Sequence, residues 1–240
     1  PTDFDRLIAR RRTNSVKCDG CRRVFGRDDL LPMWVADMDF AAPPAALAAL
    51  RERVDHGVFG YANGAGGALA ALASWIERRH GWRIEAEWAS ITPGVVAGLS
   101  LAVLALTEPG DKIAIQPPVY PPFYSVVREN GRTLVENPLC LENGRYVMDL
   151  GGLADLFAQG VRMLILCSPH NPVGRVWEGD ELARLGELCR RYDVLVVSDE
   201  IHADIVFANH RHVCTASVSE DLAERTVTLT APSKTFNLAG

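Results

Sequence analysis

Two side chains in the C-terminal part of the sequence, Asp199 and Lys234, have the types needed for carbonyl chemistry. A lysine attacks a carbonyl only when deprotonated, a state favoured by burial and cationic neighbours. A carboxylate can hold the proton of a pyridinium ring and keep that ring electron-withdrawing. Taken alone, a lysine and an aspartate at strand ends more often form a surface salt bridge. Three further segments change that weighting. In ITPGVVAGLSLAVLAL, Gly94 precedes an apolar helix, whose free N–H groups and dipole suit a phosphate; a plain glycine turn is the alternative. In QPPVYPPF, Tyr120 sits in a proline-fixed loop suited to stacking on a ring, or to simple surface packing. In CSPHNPVG, Asn171 can donate to a ring hydroxyl, although NP followed by G is by itself only a turn signal.

The elements that must position these residues follow from periodicity. Residues 1–40 are charged and irregular, ending in the apolar run from Leu30 to Phe40. Pro43 and Pro44 open a helix to about Val54, residues 57–67 read as a glycine loop, and a helix spans about 68–80 with Gly81 as its stop. Strands are expected at 90–92, 111–116, 133–137, 161–167, 194–198 and 226–230, and helices at 94–106 (buried), 124–130, 152–159 and 178–192. Strands apolar on both faces, alternating with helices, predict an α/β fold: a three-layer α/β/α arrangement of a mostly parallel sheet. Ligands in such sheets bind at the carboxyl ends of the strands. Pro93-Gly94, Tyr120, Asn171, Asp199 and Lys234 each follow an expected strand, so five exits are expected on one edge.

Composition narrows the function. A net charge of −5 gives no basic field for nucleic acid or anionic membranes. The basic run Arg10, Arg11, Arg12 reads as a solvated helix end. The longest apolar stretch, Gly94 to Leu106, is too short to span a bilayer, and the N-terminal residues show no export signal. A cytoplasmic location is the expectation. Six cysteines do not suggest a disulfide scaffold. Cys18 and Cys21 form a CxxC, but zinc needs two more ligands, and only His210 and His212 offer themselves while Cys140, Cys167, Cys189 and Cys214 stand alone. The pair reads as incidental, with no metal expected.

LPMWVADMDF (31–40), VFGYANG (58–64), ITPGVV (91–96), QPPVYPPFY (116–124), SPHNPVGRVW (168–177), SDEIHADIVF (198–207) and APSKTFNLAG (231–240) occur in that order. Together they resemble the fold-type I pyridoxal 5′-phosphate (PLP) enzymes of the aminotransferase class I/II superfamily, and within it the MalY/PatB-like C–S lyases. The resemblance implies that Lys234 is the Schiff-base lysine and moves the Cα proton, and that Asp199 pairs with the pyridine nitrogen. It implies that Asn171 bonds the ring hydroxyl and Tyr120 stacks on the ring. Gly94 with the N–H groups of Val95 and Val96, together with Ser233, would hold the phosphate. Tyr61 would reach a neighbouring subunit's phosphate, which implies a homodimer, and Val35, Ala36 and Asp37 would line the pocket for a small amino-acid substrate. His202 stands where typical aminotransferases carry a tyrosine, as in the C–S lyase subgroup; an imidazole there titrates near neutrality.

The resemblance divides the chain into an arm or small-domain segment (1–45) and a PLP-binding large domain (46–240). Relatives of this type continue past the position of Gly240, so the large domain is expected to be incomplete, with the carboxylate-gripping arginine beyond Gly240. A 240-residue chain alone is expected to be poorly soluble or inactive. Cys18 departs from the tryptophan usual after NSVK. Three activities follow: β-elimination from cystathionine or related thioethers, transamination, or a regulatory protein that has kept the fold and lost the chemistry.

Overall fold

The computed structural model describes residues 3–239. By their contacts they form two units: residues up to Ala62 together with those from Pro232 onward, and Asn63–Ala231.

In the first unit, short helices α1 (Val16–Asp19) and α2 (Cys21–Phe25) precede α3 (Pro44–His56), and α10 (Pro232–Thr235) follows much later in the chain. Ser15 caps α1 by accepting from the Cys18 N–H. The end segment is tied to the loop before α3 by Asn237. Its amide donates to the carbonyls of Met38 (3.1 Å) and Phe40 (2.9 Å) and accepts from the Met38 N–H at 3.1 Å. The run Arg10–Arg12 lies in no helix, contrary to expectation; Arg11 and Arg12 are exposed, whereas Arg10 is half-buried and pairs with Asp37 at 2.5 Å and Asp39 at 2.6 Å. Lys17, on α1, joins the same two carboxylates. Two acidic groups two residues apart need cationic partners, and the fold brings those from elsewhere in the unit.

The second unit holds α4 (Gly66–His80), α5 (Val95–Leu106), β1 (Lys112–Ile115), α6 (Pro122–Glu129), β2 (Thr133–Glu136), β3 (Cys140–Glu142), β4 (Arg145–Val147), α7 (Leu150–Ala158), β5 (Val161–Cys167), α8 (Gly179–Tyr192), β6 (Leu195–Asp199), α9 (Glu220–Glu224) and β7 (Thr226–Leu229). The five-stranded sheet runs β2-β1-β5-β6-β7, with every pairing parallel. Side chains alternate along β5, so its two faces feed two cores. Leu164 and Leu166 join Leu153, Phe157, Leu182 and Leu185 of α7 and α8 on one side. Met163, Ile165 and Cys167 join Leu99, Val103, Phe123 and Val127 of α5 and α6 on the other. The three-layer α/β/α sheet is therefore present. No helix among the described residues is long and apolar enough to cross a membrane.

Three expectations need correction. Residues 90–92 form no strand, so Gly94 follows a loop and four strand exits remain. Helix α5 is not wholly buried: Leu99, Ala102 and Val103 face the core, whereas Leu101, Leu104 and Leu106 are exposed. One stripe of a helix is all that a sheet can cover. The glycine loop is also shorter than expected, because α4 begins at Gly66. Outside the expectations altogether is the β3–β4 hairpin, whose turn residues Asn143 and Gly144 have φ of 50° and 77°. Asn-Gly with both residues at positive φ is a favoured two-residue hairpin turn.

Gly98 lets α5 approach the sheet. A Cβ there would stand 3.1 Å from Leu229 Cδ2 and 3.2 Å from Thr92 Oγ1. Gly98→Val is expected to destabilise the full-length protein by about 1–3 kcal/mol through overpacking, read from the urea-unfolding midpoint.

Candidate active site

The carboxyl ends of β1, β5 and β6 carry the chemistry-bearing residues of the second unit. Past β1, the segment Gln116–Tyr120 contains a cis Pro117-Pro118 bond and sets Tyr120 half-buried against Phe123, with ring centroids 6.3 Å apart. Past β5, residues 168–175 close on themselves through His170 N–H to Arg175 O (2.7 Å) and Gly174 N–H to His170 O (2.8 Å). Asn171 is half-buried there, its backbone N–H on Cys167 Sγ at 3.3 Å. The two exits are fastened together by His170, whose Nε2 donates to Pro118 O at 3.0 Å. Its ring also meets Trp177 edge-on at 5.6 Å, and Trp177 Nε1 donates to Cys167 O at 2.9 Å. Arg175 lies over the other ring of that pair, 4.4 Å from the Trp177 centroid, and is held by Glu181 at 2.5 Å.

Asp199, the last residue of β6, is buried at 4% exposure and pairs in register with Cys167. Alternation along β6 puts Asp199 on the face of Val197, toward the α5 and α6 core, and Glu200 on the opposite face with Ser198. Asp199 Oδ1 accepts from the Ile201 N–H at 3.1 Å. Burial first, and the charge of Asp199 second, push the Cys167 thiol up to about 12, so it stays protonated. His202, half-buried, lies in the turn that follows.

The start of α5 reaches the same edge, because Gly98, one turn in, packs on Leu229 at the end of β7. Gly94 has φ 103° and no side chain caps the helix. A Cβ on Gly94 would meet nothing within 4 Å, so the ground before the Val95 and Val96 N–H groups is open. Helix start, buried carboxylate, amide and aromatic ring suit a phosphorylated aromatic ring with a protonatable nitrogen.

Lys234, Ser233, Tyr61, Val35, Ala36 and Asp37 all belong to the first unit. Lys234, on α10, donates from Nζ to Ala36 O at 3.1 Å, which joins the lysine segment to the expected pocket segment. Tyr61 is fully exposed.

Several residues beside these were given no place in the site from the sequence: His170, Glu200 with His212 (read only as a possible zinc ligand), and Asp204 with Trp75 and His80 of α4. Glu200 accepts from Ser198 Oγ (2.9 Å), Thr215 N–H (2.8 Å) and His212 Nε2 (2.8 Å). Burial alone would raise its carboxyl; the His212 bond and charge, with the Thr215 and Ser198 donors, hold it below the ordinary carboxylate range. Period-two alternation after a buried strand was the available signal, since it forces a second carboxylate onto the other face. Cys214, expected to stand alone, lies with Glu200 and His212 in a buried group whose ligand-type atoms lie within 4.8 Å of one another. Cys21 donates to Lys17 O.

The chain belongs to the aminotransferase class I and II family, whose model matches residues 29–240. It is 50% identical over 239 residues, 99% of its length, to cystathionine β-lyase PatB of Bacillus subtilis (strain 168). Its structure matches cystalysin from Treponema denticola, which contains pyridoxal 5′-phosphate, with a TM-score of 0.93 at 37% identity over 99% of the chain. It also matches the PLP-bound C–S lyase from Staphylococcus hominis with a TM-score of 0.92 at 36% identity over 99% of the chain. The chain spans 62%, 61% and 61% of these three proteins, respectively.

His170 gives the site a pH dependence of stability. Burial pushes its imidazole down to about 4, from 6.5 in the unfolded chain, against the pull of the Pro118 carbonyl. Between those values the unfolded state binds more protons, so stability is full above pH 6.5 and falls as pH drops toward 4. From pH 7.5 to 4.5 the full-length protein is expected to lose on the order of 2–3 kcal/mol more than its His170→Gln variant, read from urea unfolding at each pH.

Proposed function

We propose that this protein is a PLP-dependent C–S β-lyase, cleaving L-cystathionine or related cysteine thioconjugates to a thiol, pyruvate and ammonia. The observation that carries the reading is the buried carboxylate of Asp199 on the same sheet edge as Asn171, Tyr120 and the open start of α5. The 50% identity to PatB supports the same chemistry.

When bound, the cofactor supplies an electron sink for charge developing at the substrate Cα. Asp199 keeps the proton on the pyridine nitrogen. Asn171 and His202 hold the ring hydroxyl, and Tyr120 covers a ring face. Val95 and Val96 offer N–H groups to the phosphate, with Gly94 allowing close approach and Ser233 adding its hydroxyl. Lys234 holds the cofactor covalently and carries the Cα proton. Val35, Ala36 and Asp37 line the substrate pocket, with Ala36 O already bonded to Lys234. In this reading the protein is a cytoplasmic homodimer in which the exposed Tyr61 reaches the partner's phosphate. Residues 46–240 belong to the PLP-binding domain and 1–45 to the small-domain arm.

A second reading, transamination, is favoured by the family model itself. It would differ in where Lys234 delivers the Cα proton, and it requires a keto-acid acceptor. His202, in place of a tyrosine, weighs toward the lyase.

Full-length protein incubated with L-cystathionine is expected to release pyruvate without any keto acid, measured by coupled lactate dehydrogenase. Pyruvate that appears only with a keto-acid acceptor, or not at all, overturns the lyase reading. Lys234→Ala is expected to abolish both activity and the visible absorbance of lysine-bound cofactor. Asp199→Ala is expected to lower kcat by at least about 100-fold, the scale of losing one electrostatic contact to developing charge.

A further inference from the structure

His202 lies in one short turn with Asp199, and that turn is fastened at both ends. The turn closes through Ala203 N–H to Glu200 O (3.0 Å) and Ile205 N–H to His202 O (2.9 Å). At its start, Glu200 N–H donates to Leu229 O at 2.8 Å, locking the turn to the end of β7. The Glu200 side chain, 2% exposed, then takes three donors from Ser198, Thr215 and His212. At its other end, the two oxygens of Asp204 accept from Trp75 Nε1 at 3.2 and 3.0 Å, and His80 Nε2 stands 3.2 Å from Oδ1. Trp75 and His80 both come from α4. The two fastenings touch, because the His80 and His212 rings meet edge-on at 5.2 Å. Burial first, then the charge of His212, lowers the His80 imidazole against the pull of Asp204.

An ionised carboxylate buried this deeply costs several kcal/mol in desolvation, and an apolar set of equal volume would usually fill the space as stably. What the polar set adds is direction. Each acceptor on the turn is fixed by donors of defined geometry, which holds the backbone of residues 200–204 to one conformation. A group that must meet a ring hydroxyl within hydrogen-bond distance needs that fixing, since misplacement by about 1 Å can cost roughly 100-fold in rate.

We propose that Glu200 with His212, and Asp204 with Trp75 and His80, are positioning residues that set His202 against the hydroxyl of the cofactor ring. They do so from behind the turn and do not touch the ring. This inference rests on the PLP reading above and assigns the second-face residues a role in it.

The test is a double-mutant comparison in full-length protein loaded with PLP. Asp204→Asn and Trp75→Phe are each made alone and in a His202→Gln background. Two quantities are read: the pH midpoint of the visible absorbance of lysine-bound cofactor, and kcat and KM for L-cystathionine. With His202 present, Asp204→Asn is expected to move the midpoint by at least about half a pH unit and to lower kcat roughly tenfold, with KM within about twofold. In the His202→Gln background the same substitution is expected to change neither, because its effect passes through His202. Equal effects in both backgrounds, or a change in thermal midpoint alone, would overturn the proposal. So would one equivalent of zinc in the purified protein, which would recast Glu200, His212 and Cys214 as a metal centre. Trp75→Phe keeps the packing and removes one donor, so it carries the same comparison if Asp204→Asn does not fold. Loaded parent protein without visible absorbance sinks the PLP reading itself, and this inference with it, before any variant is made.

Discussion

The second unit depends on the burial of β5 on both faces. Met163, Leu164, Ile165 and Leu166 are all fully buried, with neighbouring strands on each side and helical layers above and below. Within such a strand every backbone group is spent on the ladder, and an unpaired polar side chain would cost about 1–3 kcal/mol. Polar function is therefore expelled to the strand ends. At the carboxyl end the chain must turn, and the turns bring their own N–H groups and carbonyls into reach of the side chains that follow β1, β5 and β6. His170 shows the consequence: one ring nitrogen on Pro118 O fastens two exits whose strands are already neighbours.

That constraint explains what could be read in advance. The residues of β5 and β6 announce themselves as unbroken apolar runs, and the polar residue after each run is thereby marked as an edge residue. Asp199 and Asn171 were legible for that reason. The strand expected at 90–92 failed because three residues before Pro93-Gly94 carry too little pattern to tell a strand from a loop. The order β2-β1-β5-β6-β7 is set by contacts between distant segments, which periodicity does not encode. The β3–β4 hairpin did carry a local signal in Asn143-Gly144, and its short strands, mostly exposed, hid it.

The ion pairs of the first unit were illegible for a related reason. A run of three arginines looks like a solvated surface because nothing local says otherwise. Only the fold brings Asp37 and Asp39 to Arg10, and adds Lys17 with its side chain 8% exposed. Those pairs fix the segment whose Ala36 carbonyl receives Lys234. Asn237, at φ 54°, supports the same segment from the chain's other end, a backbone conformation that asparagine tolerates better than most residues.

Adjacent acidic residues at the end of β6 show how the same side-chain chemistry takes two roles. Asp199 and Glu200 differ by one methylene, yet alternation sends them to opposite faces of the sheet. Glu200 meets three donors, one of them a histidine, which satisfy its oxygens and hold it ionised, so it serves the protein's interior and has little left for a ligand. Asp199 faces the side where Cys167 lies in register. That thiol is kept protonated by burial and by Asp199 itself, so it neither adds a second negative charge nor competes as a nucleophile. On that face the aspartate is the local anion, which is what a pyridinium nitrogen requires of its partner. The division of labour is set by the strand's period of two before any partner residue is chosen.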